Sequence, residues 1–304
     1  MSSHQPPKLA IFAVADYPRH ALWDQVKVFV ETAPRLGPDH IVVLITRRLS
    51  RAWKLLFDRA GVHCLELIPR ARRPAWRDSL KRLVWLPGFN RILLGARASL
   101  VFDACVYRHF LYRAALKRFK AEYILFTDVR DVIFQTEIPE CAFSNSLFLS
   151  QEDVQKCIAD EPWTWNWVRA GYGSKAVHAL QHHPILCAGL VFGPRDLMIA
   201  YNKAILSSIR KLPPRVQVLE GVDQGVHNWL AYSDRIGRWQ VSTAESGWMR
   251  TIGLLSAESL TWAGSGKLTN PDGSVVPIVH QYDRHWNDPR IQTMLSASGA
   301  VPSW

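Results

Sequence analysis

The sequence predicts an α/β protein with a mainly parallel central sheet flanked by helices. Short apolar runs alternate with amphipathic stretches along the 304 residues, which is the pattern of successive βαβ units. Hydrophobic residues make up 48% of the chain, enough to bury a large core. No internal repeat or low-complexity linker divides the sequence, so we expect a single domain over residues 1–304.

The elements follow in chain order from the spacing of apolar residues. The predicted strands are residues 9–14, 41–46, 64–68, 123–127, 185–192 and 275–279. The predicted helices are residues 22–33, 100–120, 195–211 and 224–232. Turn-forming residues predict loops at 213–214 and 264–273.

The charge and the cysteines narrow the class of protein. A net charge of +11 favours an anionic partner, such as a nucleotide, a nucleic acid or an acidic lipid surface. Much of the excess lies in residues 47–54 and 69–82, which form either a solvated face or a contact with an acidic membrane surface. The five cysteines are widely spaced and lack a CxxC pair, which argues against a disulfide framework or a zinc site. We expect a cytoplasmic protein, peripheral at the inner face of the membrane if the basic surface binds lipid.

An acidic motif follows the strand predicted at residues 123–127. Asp128 and Asp131 come directly after this apolar run, at the end of a strand where α/β sheets bind ligands. Two carboxylates across a tight bend can face one magnesium or manganese ion that also binds a diphosphate. Two alternatives stay open. The aspartates could form ion pairs with Arg130 or another nearby base, or they could belong to an aspartyl-phosphate phosphatase, although that chemistry uses an Asp-x-Asp at the first strand of its domain.

Two later segments carry small or polar residues beside apolar ones. In CAGLVFGP, Gly189 lets the backbone approach a ligand closely, unless the segment is simply a core strand with a glycine bulge. In GVDQGVHNWL, Asp223 lies where a helix should begin, and it could serve only as the helix cap. Capping does not account for Gln224, His227 and Asn228, which offer polar groups to sugar hydroxyls.

His280 repeats the pattern of a strand followed by a polar residue. It comes directly after the apolar run at 275–279, and it is either a structural histidine or a third ligand beside the two aspartates. Arg284 could then bind diphosphate oxygens through its planar guanidinium. Between the acidic motif and CAGLVFGP, the tryptophan-rich EPWTWNWVRAGYG forms a mobile-looking segment that is either a platform for an acceptor sugar or a hydrophobic anchor. Trp165 and Asn166 are its candidate acceptor-binding residues.

Four segments in this order, DVRDVIFQ, CAGLVFG, DQGVHN and HQYDRH, resemble a family of bacterial and plant glycosyltransferases of the GT-A type. The resemblance spans roughly residues 9–286. It implies a Rossmann-like GT-A fold, with a nucleotide-binding half at about residues 8–135 and an acceptor-binding half at about 136–290. It also implies transfer of a sugar from a nucleotide diphosphate sugar to a saccharide or lipid-linked saccharide acceptor, in cell-surface polysaccharide synthesis.

The resemblance assigns roles by position. It makes Asp128, Asp131 and His280 the ligands of Mn²⁺ or Mg²⁺ and gives Asp223 the catalytic role near the acceptor. The donor would be bound by a set spread over several segments: Ala13, Asp16, Tyr17, Arg108, Asp128, Gly189 and Arg284. The spacing departs from the usual Asp-x-Asp because Arg130 takes the second position, so either aspartate could be the weaker ligand.

Two other functions compete with sugar transfer. A nucleotidyltransferase should carry a glycine-rich phosphate loop after its first strand, and FAVADYPRH contains no glycine. Nucleic-acid binding would be favoured by aromatic residues among the basic runs, which hold only Trp53 and Trp76. The sequence therefore favours the glycosyltransferase.

Overall fold

The structure, a computed structural model, describes residues 7–18, 20–68 and 102–299. The basic stretch at 69–82 and the first residues of the helix predicted at 100–120 lie outside these ranges. The strands are β1 (Leu9–Ala15), β2 (His40–Arg47), β3 (Val62–Ile68), β4 (Tyr123–Thr127), β5 (Val132–Phe134), β6 (Leu147–Gln151), β7 (Leu186–Pro194), β8 (Trp239–Ser242), β9 (Met249–Thr251), β10 (Thr261–Trp262), β11 (Leu268–Thr269) and β12 (Ile278–His280). The α-helices are α1 (Leu22–Thr32), α2 (Arg51–Arg59), α3 (Ala104–Arg118), α4 (Pro162–Tyr172), α5 (Ser174–Leu180), α6 (Arg195–Lys211), α7 (Pro214–Gln217), α8 (Val222–Tyr232) and α9 (Pro289–Ala297).

A seven-stranded sheet in the order β3-β2-β1-β4-β7-β6-β8 forms the centre of the fold. β1 pairs in parallel with β2 and β4, β2 pairs in parallel with β3, and β8 pairs in parallel with β6. β7 alone runs against its neighbours β4 and β6. The prediction of a mainly parallel sheet in an α/β fold is therefore confirmed.

Helices cover both faces of this sheet, which explains why its strands are apolar on both sides. Along β1, Ala10 and Phe12 pack with residues of α3 and α6, such as Val106 and Ile205. The intervening residue Ile11 packs on the other face, among residues of α1. This alternation is the two-residue period of a strand.

A smaller sheet, in the order β5-β12-β9, lies beside the edge where β4 ends. β5 follows β4 after only four residues, 128–131, so the acidic motif joins the two sheets. β12 is antiparallel to β5, and the register places His280 opposite Val132. A separate core cluster, which includes Ile133 and Val279, supports this small sheet.

Most predicted elements agree with the structure within a few residues. The strand at 123–127 and the helix at 195–211 have the predicted bounds. The strand predicted at 275–279 is instead the shorter β12, and the loop predicted at 264–273 contains the short strand β11. No helix in the described ranges is long and apolar enough to cross a bilayer.

The tryptophan-rich segment departs most from expectation, because it forms the helix α4. Pro162 takes the first helical position, where its missing N–H costs nothing. The Glu161 carboxylate accepts hydrogen bonds from the backbone N–H groups of Trp163 and Thr164. Pro214 likewise begins the short helix α7, in place of the loop predicted at 213–214.

Candidate functional site

A cavity of about 890 Å³ opens at the edge of the central sheet where β1 and β4 end and β7 begins. Its volume falls within the usual range for small-molecule sites, about 300–1,000 Å³. The loops after β1 and β4 line it, together with the first residues of β7. Side chains from α3, α4 and α8 complete the lining.

Asp128, Asp131 and His280 form a compact cluster in and beneath this cavity. One ligand atom from each lies within 4.8 Å of the others. His280 Nε2 is 3.3 Å from Asp128 Oδ2 and 3.7 Å from Asp131 Oδ1. The predicted trio therefore does come together, from the loop after β4 and the end of β12. Arg130 is paired with Asp283, 2.6 Å away, whereas Asp128 forms an ion pair with another base, Arg108, as the alternative interpretation allowed.

The two ring nitrogens of His280 have different surroundings. Nδ1 lies 3.2 Å from Thr251 Oγ1 and 3.6 Å from Cys187 Sγ. Nε2 is buried and makes no hydrogen bond with any described residue. In metal sites one histidine nitrogen typically binds the metal while the other hydrogen-bonds to the protein. The unpartnered Nε2 beside two carboxylates thus fits a divalent cation.

Gly189 makes room for this cluster. Its carbonyl accepts a hydrogen bond from the Asp128 N–H at 2.9 Å, so β7 runs directly against the acidic loop. A Cβ at this position would lie 2.4 Å from Asp128 Oδ2 and 2.7 Å from His280 Cε1. Such distances are far below van der Waals contact. A side chain at position 189 would displace two of the three candidate ligands.

Burial and neighbouring charges shift the titration of all three groups. Burial raises the pKa of Asp131 to about 6, against the attraction of His280. Burial would also raise the pKa of Asp128, but Arg108 and His280 outweigh it and hold that pKa below its usual value. Burial would lower the pKa of His280, yet Cys187 and the carboxylates around it raise it well above the ordinary value. At neutral pH His280 therefore holds a proton that a bound metal ion would replace.

Arg108 connects this cluster to Asp223. Its Nη1 donates to Asp128 Oδ1 at 2.5 Å, and its Nη2 donates to Asp223 Oδ2 at 2.6 Å and to the Ala188 carbonyl at 3.2 Å. The guanidinium is buried, so these charge-assisted bonds lie in a poorly solvated environment. One cation thus pairs with two carboxylates.

Asp223 does not cap a helix, which corrects one of the two interpretations of its segment. The residue before α8 is Gly221, and Asp223 lies within the first turn. Its carboxylate binds Arg108 and lies 3.6 Å from His109 Nε2. Burial alone would raise the pKa of Asp223, but Arg108 and His109 lower it to about 2. Asp223 is therefore ionised at neutral pH and is a weak proton acceptor.

The residues predicted to bind the donor differ in their positions. Asp16 and Tyr17 line the cavity, and Asp16 is bonded to Arg47 and Tyr107. Burial raises the pKa of Tyr17 to about 12, so its phenol stays protonated. Arg284 also lines the cavity, and its side chain is 60% exposed. Ala13 is fully buried within β1, so its methyl group packs in the core and does not line the cavity.

Among the residues predicted to bind the acceptor, only Gln224 lines the cavity. It accepts a hydrogen bond from the Ala188 N–H and donates one to Glu152 Oε1. Asn228 is fully buried and bonds the backbone of Leu186 through both its amide oxygen and its amide nitrogen. His227 is also fully buried, with Nδ1 2.9 Å from the Tyr201 hydroxyl. These two side chains hold α8 in place and are not available to a sugar.

The residues of α4 that line the cavity differ from those predicted to bind the acceptor. Trp165 packs against His178 and Asn166 faces solvent, and neither lines the cavity. Trp163 and Trp167, four residues apart on one helix face, line it instead. The proline before them, at the first helical position, is a signal in the sequence that would have indicated a helix here, although not which face lines the cavity. Glu152, which lies just after β6 and also lines the cavity, has no comparable signal.

The chain was compared with known proteins. No protein-family model and no curated protein sequence matches it. Its structure is similar to the crystal structure of the galactosyltransferase LgtC in complex with donor and acceptor sugar analogues. The TM-score is 0.51 at 11% sequence identity, over 97% of this chain and 97% of that chain. The likeness shows that this chain has the GT-A fold.

Proposed function

We propose that the protein is a metal-dependent glycosyltransferase that moves a sugar from a nucleotide diphosphate sugar to a saccharide or lipid-linked saccharide acceptor. The observation that carries the proposal is the cluster of Asp128, Asp131 and His280, with the unpartnered Nε2 of His280, on a cavity large enough for such a donor. The GT-A fold supports the same function, because LgtC in that fold binds donor and acceptor sugar analogues.

The three residues would hold Mn²⁺ or Mg²⁺ through two carboxylate oxygens and one imidazole nitrogen. Asp128 Oδ2 faces His280, while its Oδ1 is bonded to Arg108, so the carboxylate can bind a metal without giving up its ion pair. Bound there, the metal would neutralise the diphosphate and stabilise it as a leaving group. The carboxylates alone would repel that diphosphate.

Other residues of the cavity would orient the donor. Tyr17 and Asp16, which follow β1 and line the cavity, would contact the base and ribose. Arg284 is well exposed, with its Nε 3.9 Å from Asp283 Oδ1, so its guanidinium can turn toward the diphosphate oxygens. Arg130, in the loop after β4, is bonded to Asp283, which follows β12, and it adds positive charge to the cavity. These cations complement the diphosphate.

Asp223 and Arg108 would act at the reacting sugar. A pKa of about 2 makes Asp223 a poor base for an acceptor hydroxyl, whereas a fixed negative charge stabilises a sugar that becomes positive in the transition state. We therefore favour the electrostatic role over proton abstraction. Arg108 fixes the carboxylate in place, and through Asp128 it also ties it to the metal cluster.

Titration calorimetry with uridine and guanosine diphosphates, in Mn²⁺ and in excess chelator, tests the proposal. We expect binding with Mn²⁺ and its loss in chelator. Asp128→Asn, Asp131→Asn and His280→Gln should abolish the metal-dependent binding. His280 is fully buried at the end of β12, so glutamine is a safer replacement than alanine. Asp272→Asn, in an exposed turn away from the cavity, is the matched control and should bind as the parent does. Equal affinity in chelator would refute the proposal.

A further inference from the structure

One wall of the cavity is made by α4 and the start of α8. Trp163 and Trp167 lie on it, with ring centroids 6.0 Å apart and an interplanar angle of 36°. Trp163 is 69% exposed, the highest value among the large hydrophobic residues in the described part of the chain. The two indoles together offer a ligand an aromatic surface at the cavity.

Two glycines bring this wall close to Asp223. A Cβ on Gly221 would lie 2.2 Å from the Trp167 ring, and a Cβ on Gly225 would lie 2.6 Å from Trp167 Cβ. Trp167 is therefore seated in a notch formed by the two glycines that flank Asp223 in sequence. This seating fixes the tryptophan pair beside the carboxylate proposed to act at the reacting sugar.

The charges on this wall are negative or neutral. Glu161 and Glu220 line it, and within the described lining the wall made by α4 and α8 carries no cation. Arg108 lies beneath it but is already bonded to two carboxylates. The other cations that line the cavity, Arg130 and Arg284, belong to the loops after β4 and β12. The wall is thus suited to a ligand without negative charge.

We propose that the Trp163–Trp167 wall binds the acceptor, and that the acceptor residue there is a neutral pyranoside whose apolar face stacks on Trp163. The inference rests on the proposed function and specifies the acceptor of that same site. Stacking buries the exposed indole against the C–H face of the sugar and leaves its hydroxyls to Gln224 and the nearby carboxylates. A uronic or sialic acid would place a carboxylate beside Glu161 and Glu220, which is unfavourable.

Fluorine NMR on protein labelled with 5-fluorotryptophan tests the inference. The Trp163→Phe variant assigns the Trp163 resonance, and Trp165→Phe assigns the resonance of Trp165, which lies on the same helix but packs against His178. The probes are methyl β-D-galactopyranoside, methyl β-D-glucopyranoside and methyl β-D-glucuronoside, added with Mn²⁺ and a saturating nucleoside diphosphate. Calorimetry first establishes that this nucleotide binds to the parent and to both variants.

We expect at least one neutral glycoside to shift the Trp163 resonance in a saturable way while the Trp165 resonance stays in place. The glucuronoside should bind at least about tenfold more weakly. An unchanged Trp163 resonance in nucleotide-loaded protein would overturn the inference and leave the proposed function standing. Equal binding of the glucuronoside would overturn the charge selectivity. If the parent protein did not bind the nucleotide, the proposed function would be refuted, and the inference with it.

Discussion

Arg108 is the residue on which the site most depends. Its guanidinium is buried and bonds Asp128, Asp223 and the Ala188 carbonyl through two nitrogens. A lysine could not reproduce this fork, since its ammonium is a single point charge. Buried ion pairs of this kind contribute less to stability than their distances suggest, but removing one partner is costly because the other charge stays buried.

Asp223→Asn tests that cost. At pH 7 the free energy of unfolding should fall by about 2–3 kcal/mol, because each unit by which the pKa of Asp223 is lowered corresponds to about 1.4 kcal/mol. The folded-state pKa of Asp223 is lowered from 3.8 to about 2, so its contribution is present above pH 3.8 and is lost as the pH falls toward 2. Urea unfolding between pH 7 and pH 2 should show the two proteins converging. Asp39→Asn, at an exposed site, should change stability little at any pH; an equally small effect for Asp223→Asn would contradict the ion pair.

Gly189→Ala tests the space for the metal. The added methyl group would overlap Asp128 Oδ2 and His280 Cε1, so we expect Mn²⁺ affinity to fall by about 10- to 100-fold, the range seen when groups supporting metal ligands are changed. Calorimetry with Mn²⁺ measures the effect. Gly264→Ala is the control, because a Cβ there meets nothing within 4 Å. Parental affinity in Gly189→Ala would show that the metal binds elsewhere.

At the scale of elements, the contact between α4 and α8 shapes the wall that we propose to bind the acceptor. Gly225 lies in α8 directly against the α4 backbone, with a Cβ at that position 2.9 Å from the Trp167 carbonyl carbon and 3.1 Å from the Val168 nitrogen. Backbone atoms cannot move aside as a flexible side chain can. The two helices are therefore set at this distance by the absence of a side chain.

Gly225→Ala should accordingly destabilise the protein. Alanine in a helix normally gains about 0.5–1 kcal/mol over glycine, but overpacking costs about 1–3 kcal/mol. We expect a net loss in the free energy of unfolding, measured by urea denaturation. Gly171→Ala on α4 is the comparison, since its Cβ would meet only the end of the Leu212 side chain, at 3.1 Å. If Gly225→Ala were the more stable of the two variants, that result would contradict the close contact between α4 and α8.

The sequence predicted site residues best where they directly follow a strand. The apolar run at 123–127 fixed the position of Asp128 and Asp131, and His280 was expected at a strand end, so the cluster needed only the sheet to bring them together. Residues on helices were harder, because their exposure depends on which face packs inward. Trp165 and His227 were expected to contact substrate. In the structure Trp165 packs against His178, and His227 is fully buried.

At the scale of the whole molecule, the cluster of Asp128, Asp131 and His280 joins two sheets. Asp128 and Asp131 follow the central sheet, whereas His280 ends β12 of the small sheet. The small sheet has its own core cluster, so the two sheets can differ in stability. An ion bound to all three residues would stabilise the contact between the two sheets.

Hydrogen exchange with and without Mn²⁺ should show this effect. We expect slower exchange of the amides at 128–131 and 278–285 when metal is bound, because the ion stabilises the folded arrangement that it binds. The amides of β2 and β3, far along the sheet, should exchange alike in both conditions. Asp131→Asn should remove the protection. Protection spread evenly over the chain, or unchanged in that variant, would count against a bridging ion.

The notch formed by Gly221 and Gly225 also constrains how the sequence can diverge. Gly221 has φ of 73°, a conformation that favours glycine, and both positions leave no room beside Trp167. A larger residue at position 225 could persist only if position 167 became smaller or α4 shifted away. In an alignment of related chains positions 167 and 225 should therefore covary. If the wall binds the acceptor as proposed, lineages that lose the notch should also use a different acceptor.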